Sequence, residues 1–254
     1  MISINFMGGL GNQLFQVAST YSLALSNNDN AVFNFNNCWT PLQGNKISKY
    51  KDTIFKKFIH TDQFTAENYY QETSYYYNPV KYKPNLLLNG YFQSEKYFKT
   101  HKDILLDMFC FDRYKESAIN FLNNINGKKT SLHIRRGDFM LYQDVMYLLD
   151  MDYYNSAMDV FNDTTFVIFS DDLEWTKQHF NKSNMIVFDN TDEVMNIACM
   201  SLCDNHIIAN STFSWWGAYL NKNKNKKVIA PRKWFSAPEL KENKDKIPDD
   251  WIIL

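Results

Sequence analysis

Short apolar runs alternate with segments of helical spacing along most of the chain, and hairpin turns between successive runs are missing. Ile2–Phe6 predicts a first strand, Leu14–Ser26 a helix with Ala18 and Leu25 facing inward, and Ala31–Phe35 a second strand, a βαβ opening. Residues from Asn36 to Lys83 are polar, tyrosine-rich and weakly periodic, with short helices predicted at Asp52–Phe58 and Ala66–Tyr70. Leu86–Phe92 follows as a buried strand, then Glu95–Phe109 and Ser117–Ile125 as helices. After the Asn126-Gly127 turn the pattern restarts. Strands are predicted at Thr130–Ile134, from Thr165, and at Met185–Asp189, His206–Asn210 and Lys227–Pro231, separated by helices at Met151–Asp163, Leu173–Phe180, Asp192–Asp204 and Ser211–Leu220. Such alternation favours parallel, doubly wound sheets. The restart predicts two α/β domains, 1–126 and 127–254, facing a cleft, with the last residues free to pack back on the first.

Composition narrows the picture. A net charge of -1 gives no global field to recruit nucleic acid, so any phosphate binding must come from local geometry. The 16 Tyr, 20 Phe and 6 Trp supply core area and also the faces on which sugars and bases stack. Cys38, Cys110, Cys199 and Cys203 form no CxxC pair, and Cys199 and Cys203, four apart on a helix, read as buried thiols rather than a disulfide or zinc site. A secretory signal and a membrane-length apolar run are both missing, which predicts a soluble, cytoplasmic protein, at most peripheral to the inner membrane face. The asparagine- and lysine-rich composition fits an AT-rich bacterial genome, and Asn221–Lys227 reads as a solvated loop.

Four motifs carry chemistry. Gly8–Gln16, GGLGNQLFQ, joins the first strand to the first helix, where glycines permit close backbone approach to a ligand or simply a tight turn. Its spacing is not the dinucleotide fingerprint G-x-G-x-x-G, and no acidic residue closes the second strand. Ser131–Phe139, SLHIRRGDF, ends a strand in two adjacent arginines. Guanidinium forks bind phosphate oxygens in bidentate, charge-assisted bonds, so Arg135 could clamp a diphosphate while Arg136 braces the site or pairs Asp138. A surface ion-pair patch beside a buried histidine would account for the same residues. Phe169–Asp172, FSDD, closes the most apolar strand with two carboxylates: Asp172 or Ser170 is expected to cap the next helix and Asp171 to face the ligand. NSTFSWWGAYL loads a helix start with Asn210, Ser211, Thr212 and Ser214, a ready anion site, while Trp215, Trp216 and Tyr219 anchor the helix and shape the pocket wall. Three of these motifs fall at successive strand ends of one sheet and would share a rim.

In that order, GGLGNQLFQ, HIRRGD, SDD and STFSWWGAYL resemble the motifs of the α-1,2-fucosyltransferases, from about Phe6 to Tyr219. The resemblance implies a GT-B-like fold of two Rossmann-like domains, an acceptor-side domain first and a GDP-fucose-binding domain second. It also implies transfer of L-fucose from GDP-β-L-fucose to the 2-hydroxyl of a terminal galactose, inverting and metal-independent, in bacterial glycan or O-antigen synthesis. Arg135 would then bind the donor diphosphate with support from Arg136, and His133 and Asp171 would read the guanine or its ribose. Ser211, Thr212, Phe213 and Ser214 would form the diphosphate-contacting turn, with Gly9 and Gly11 in the donor-binding set. Asn12 would lie near the transferred sugar and acceptor. The acceptor proton needs a base: Asp138 and Asp171 are the ionisable candidates, unless the leaving group collects the proton through water while Asn12 orients the acceptor. Two rival readings are a GT-B enzyme using another nucleotide sugar or linkage, and a non-catalytic nucleotide- or glycan-binding relative.

Overall fold

The computed structural model describes residues 1–36, 44–237 and 245–254. The chain divides into two compact units, Met1–Phe111 with Glu242–Pro248, and Asp112–Lys241 with Asp249–Leu254. The division falls ahead of the helix predicted at Ser117–Ile125, not at Gly127, because that helix packs Ala118 and Leu122 against Val167, Phe169 and Cys199 of the second unit.

The first unit holds a three-stranded parallel sheet in the order β1-β3-β2, with β1 Ile2–Asn5, β2 Asn68–Gln71 and β3 Leu86–Asn89. Helix α1, Leu10–Ser26, follows β1 after a tight turn and is buried along most of its length. The NH2 groups of its buried amides are paired: Gln13 Nε2 donates to the Gly8 and Asn45 carbonyls at 2.9 and 3.0 Å, and Gln16 Nε2 to the Gly90 carbonyl at 3.0 Å. Donors paired in this way let a polar sequence occupy a core face.

Five expectations for this unit are corrected, the first being Asp52–Phe58, which is a run of hydrogen-bonded turns and not a helix. Helix α1 begins at Leu10 rather than Leu14, so the GLGNQ motif forms its first turn. Ala31–Phe35 is no strand; Ala31 and Phe33 make isolated parallel bridges, and the segment is held by stacked Phe33, Phe35 and Phe55 rings with centroids 5.5 Å apart. Ala66–Tyr70 is not helical, since Asn68–Gln71 forms β2 beside β3. The predicted helix Glu95–Phe109 is broken into 3-10 turns at Glu95–Tyr97 and Lys99–His101 before helix α2, Lys102–Met108. Phe98 causes the break: fully buried against Phe15 at 5.8 Å, its backbone leaves helical geometry (φ -145°). Cys38 lies outside the described residues.

The second unit is a six-stranded, all-parallel sheet. Its strands are β4 Lys128–Ile134, β5 Thr164–Ser170, β6 Met185–Val187, β7 Asn205–Ile207, β8 Val228–Ala230 and β9 Ile252–Ile253. Their order is β6-β5-β4-β7-β8-β9, the doubly wound arrangement. Helices α3 Asp112–Asn123 and α6 Glu193–Met200 pack on one face, and α4 Met151–Met158 and α5 Leu173–His179 on the other; α7, Thr212–Tyr219, follows β7. Strand β5 alternates accordingly, Phe166 and Ile168 towards α4, Val167 and Phe169 towards α3 and α6. Both faces of the central strands are covered, which is why β5 and β8 read as continuous apolar runs. Cys199 and Cys203 are buried free thiols whose burial pushes their ionisation upwards, that of Cys199 to about 12, so neither is a ready nucleophile.

Candidate functional site

Strand order fixes where a ligand can enter the second unit. From β4 the chain winds outward through β5 and β6, and it then returns to β7 on the other side and continues through β8 and β9. The crevice beyond the carboxyl ends of β4 and β7 is the topological switch point, where open α/β sheets bind ligands. The HIRRGD motif leaves β4 there and the STFS motif leaves β7. The two meet through side chains, the His133 ring lying 5.7 Å from that of Phe213.

Arg135 is held by two carboxylates: its guanidinium pairs with Asp138, and Nη1 lies 2.7 Å from Oδ2 of Asp171. The Phe139 ring lies 5.1 Å beneath it. The other oxygen of Asp171 accepts the Arg136 backbone N–H at 2.8 Å, so this carboxylate splints both arginines. Gly137 permits that approach, because a Cβ there would stand 2.6 Å from Oδ2 of Asp171. Arg136 points elsewhere: Nε lies 3.2 Å from Oδ2 of Asp172, and its guanidinium sits 3.9 Å from the Trp175 ring centre. That stacking position suits a planar, weakly hydrated cation. Asp138 therefore pairs with Arg135, which leaves bracing, the other of the two roles expected of Arg136.

Electrostatics follow from burial. His133 is enclosed, and desolvation with the Arg135 charge holds its pKa down to about 3, so the imidazole is neutral. Its Nδ1 is buried without a hydrogen-bond partner among the described residues. Asp138 is raised, chiefly by desolvation; Arg135 opposes that and Asp171 adds to it. Its Oδ2 is likewise buried and unpartnered among the described residues. Asp172 caps α5, accepting the Trp175 N–H at 3.1 Å.

At the β7 end, Ser211 caps α7 by accepting the Phe213 N–H at 3.3 Å, and Thr212 opens the helix. Ser214 is buried and donates back to the Ser211 carbonyl at 3.3 Å, making it a strut and not a surface hydroxyl. Asn210 is also structural, its amide donating to the Tyr147 and Trp234 carbonyls at 2.7 and 2.8 Å. Trp215, Trp216 and Tyr219 are buried in the core and support the helix. Contacts at this end of the sheet thus join Arg135 to Asp138 and Asp171, the Arg136 backbone to Asp171, and His133 to Phe213 in the Ser211–Ser214 turn. Gly9, Gly11 and Asn12 belong to the first unit, where Gly9 caps α1 and Gly11 and Asn12 lie in its first turn. Sequence reasoning missed Gly137, Phe139 and Trp175. The glycine inside RRGD and the aromatic two residues on were the available signals.

Among the described residues, no helix is long and apolar enough to cross a membrane, and no cluster of three or more His, Cys, Asp or Glu is arranged to hold a metal ion.

Residues 1–254 match the family described as "Glycosyl transferase family 11". The chain is 33% identical to the O-antigen biosynthesis glycosyltransferase WbnK of Escherichia coli, covering 97% of this chain and 98% of that protein. It is 30% identical to an alpha-1,2-colitosyltransferase of Escherichia coli (97% and 96% covered). Identity to the bovine galactoside 2-alpha-L-fucosyltransferase SEC1 is 27%, over 87% of this chain and 64% of that one. In fold, the chain is similar to the fucosyltransferase NodZ from Bradyrhizobium, with a TM-score of 0.56 at 10% identity over 85% of this chain and 92% of that one.

Proposed function

The chain belongs to glycosyl transferase family 11, and from that membership we propose that it transfers L-fucose from GDP-β-L-fucose to the 2-hydroxyl of a terminal galactose, with inversion and without a required metal, in bacterial glycan or O-antigen synthesis. In this reading the second unit is the donor-binding domain of a GT-B enzyme and the first its acceptor-side domain. One observation carries it: an arginine splinted by two carboxylates stands at a switch point whose other wall is the capped start of a helix.

Departure of GDP leaves an oxocarbenium-like sugar and gathers charge on the diphosphate. Arg135, already oriented by Asp138 and Asp171, would meet that charge without reorganising, and the N–H groups opening α7 would share it. Neutral His133 would offer nitrogen to the guanosine portion, and Arg136 would stiffen the turn from its place on Trp175. The half-buried pairing of Asp138 speaks for a residue that holds Arg135. The acceptor proton would then pass to the leaving diphosphate through water, with Asn12 orienting the hydroxyl.

The test is incubation with GDP-fucose and a panel of galactosides, following GDP release and assigning the product linkage by NMR. We expect an α-1,2-linked fucoside, undiminished by EDTA. Turnover of GDP-mannose or UDP-galactose in its place, or abolition by EDTA, would overturn the donor or the metal part of the reading. A second donor sugar deserves its own lane: the 30% identical alpha-1,2-colitosyltransferase makes a nucleotide-linked colitose the competing substrate. Product formed from it alone would reassign the sugar.

A further inference from the structure

A second polar network lies wholly in the first unit. Asn12 Oδ1 accepts from Gln93 Nε2 at 2.6 Å, and Gln93 Oε1 accepts from the ammonium of Lys246, a side chain only 1% exposed. Lys246 arrives from far along the sequence, in the Glu242–Pro248 segment that joins this unit. Its neighbour Asp245 secures the segment by pairing with Lys96 and accepting the Tyr77 N–H at 3.1 Å. Glu72 offsets the buried charge; its carboxylate accepts the Tyr91 and Phe92 N–H groups at 2.7 and 3.0 Å.

The chemistry of the donors gives the network a direction. An ammonium only donates, so the oxygen of Gln93 must face Lys246 and its NH2 must face Asn12. That NH2 requires an acceptor, so Asn12 presents Oδ1 to it and turns Nδ2 the other way. Nδ2 lies against Gly8, where a Cβ would stand 2.1 Å from it and the backbone has φ +72°. Gly8 therefore leaves room for this amide orientation and no side chain.

We propose that Lys246 is a positioning residue: through Gln93 it sets which end of the Asn12 amide is offered to the sugar and the acceptor hydroxyl. The proposal rests on the reading that Asn12 lies beside the reacting groups. Burial holds the Lys246 ammonium down to about 7, with Glu72 opposing the drop, so its donor direction is fixed below that pH.

Gln93→Glu is the discriminating variant in the full chain. Its carboxylate still pairs with Lys246 and preserves the fold, yet it has no NH2 for Asn12 Oδ1, so the Asn12 amide must turn over. We expect melting within a few degrees of the parent, unchanged GDP affinity, a displaced Asn12 side-chain amide resonance in 15N spectra, and kcat lowered about tenfold to a hundredfold. Gln93→Met should match it in kcat. Lys246→Met should do the same where it folds; where it does not, the Gln93 pair decides. Parental kinetics in Gln93→Glu, with or without a displaced amide signal, would overturn the proposal. An amide displaced by Gln93→Glu in a protein whose parent transfers no fucose would leave the relay standing and sink the fucosyltransferase reading instead.

Discussion

At the scale of single residues, the site depends on carboxylates that aim cations. Arg135→Ala should lower kcat/KM by about a thousandfold, the loss expected when a preorganised donor to developing charge is removed, while the unfolding midpoint moves little. Gly137→Ala places a methyl 2.6 Å from Oδ2 of Asp171 and should cost about tenfold or more in the same assay by displacing the splint. A diphosphate arriving beside Arg135 adds negative charge near Asp138, whose carboxyl is already raised. GDP binding should therefore take up protons and tighten as pH falls towards that carboxyl's range; calorimetry in buffers of different ionisation enthalpy measures the uptake, and zero would contradict the assignment. The pair of arginines was legible in the sequence because nothing in a core asks for both at a strand end. Their partners were not: the acid that meets Arg135 three residues on and the one that meets Arg136 from FSDD are chosen by turn geometry, which a string of letters leaves open.

At the scale of elements, strands with both faces covered could be read closely where they are apolar throughout, as in the Phe166–Phe169 run of β5 and in β8. The failures share a cause. β2 buries only alternate side chains partway and leaves Tyr69 73% exposed, so it carries no apolar signal. Ala31–Phe35 carries a strong strand signal but is satisfied by ring stacking and isolated bridges. Tertiary contacts overrode local preference in both places. Helices α5, α6 and α7 begin where Asp172, Asp192 and Ser211 cap them. Asp192→Ala, remote from the arginines, should cost about 1 kcal/mol in urea unfolding with catalysis intact. Trp215 is fully buried, stacked on Tyr219 at 4.5 Å and tilted against Trp251 at 5.4 Å. Trp215→Ala should cost about 3–5 kcal/mol, and a purely kinetic defect with unchanged unfolding would refute its core role.

For the whole molecule, pH should act through histidines buried neutral. His206 accepts from Asn221 Nδ2 at its Nε2 and meets Ser131 Oγ at Nδ1, both at 2.8 Å, an arrangement that needs one bare ring nitrogen. His133 and His206 are both held to about 3, mainly by desolvation. The unfolded chain, with histidines near 6.5, binds more protons over the interval from about 3 to 6.5. The histidine contribution is therefore complete above that interval and is lost as pH falls through it, each histidine contributing a slope of about 1.4 kcal/mol per pH unit, while the raised carboxyls of Glu72 and Asp138 act in the opposite sense and Lys246, lowered to about 7, adds stability as pH rises above that value. Unfolding measured from pH 7 to 5 should show the decline, and His206→Gln should flatten it. The division into units was only partly legible: the restart of the pattern marks a strand, but a helix's allegiance depends on what its apolar stripe touches. The route of the backbone has a further outcome for anyone who would cut the protein apart. The thread passes between units after Phe111, returns at Glu242 and leaves again after Pro248. A fragment ending at Phe111 would strand Glu72 and Gln93 without their cation, and one beginning at Asp112 would carry Lys246 with no carboxylate to receive it. Neither fragment is self-sufficient, and the first unit cannot close until the chain has been made as far as Pro248.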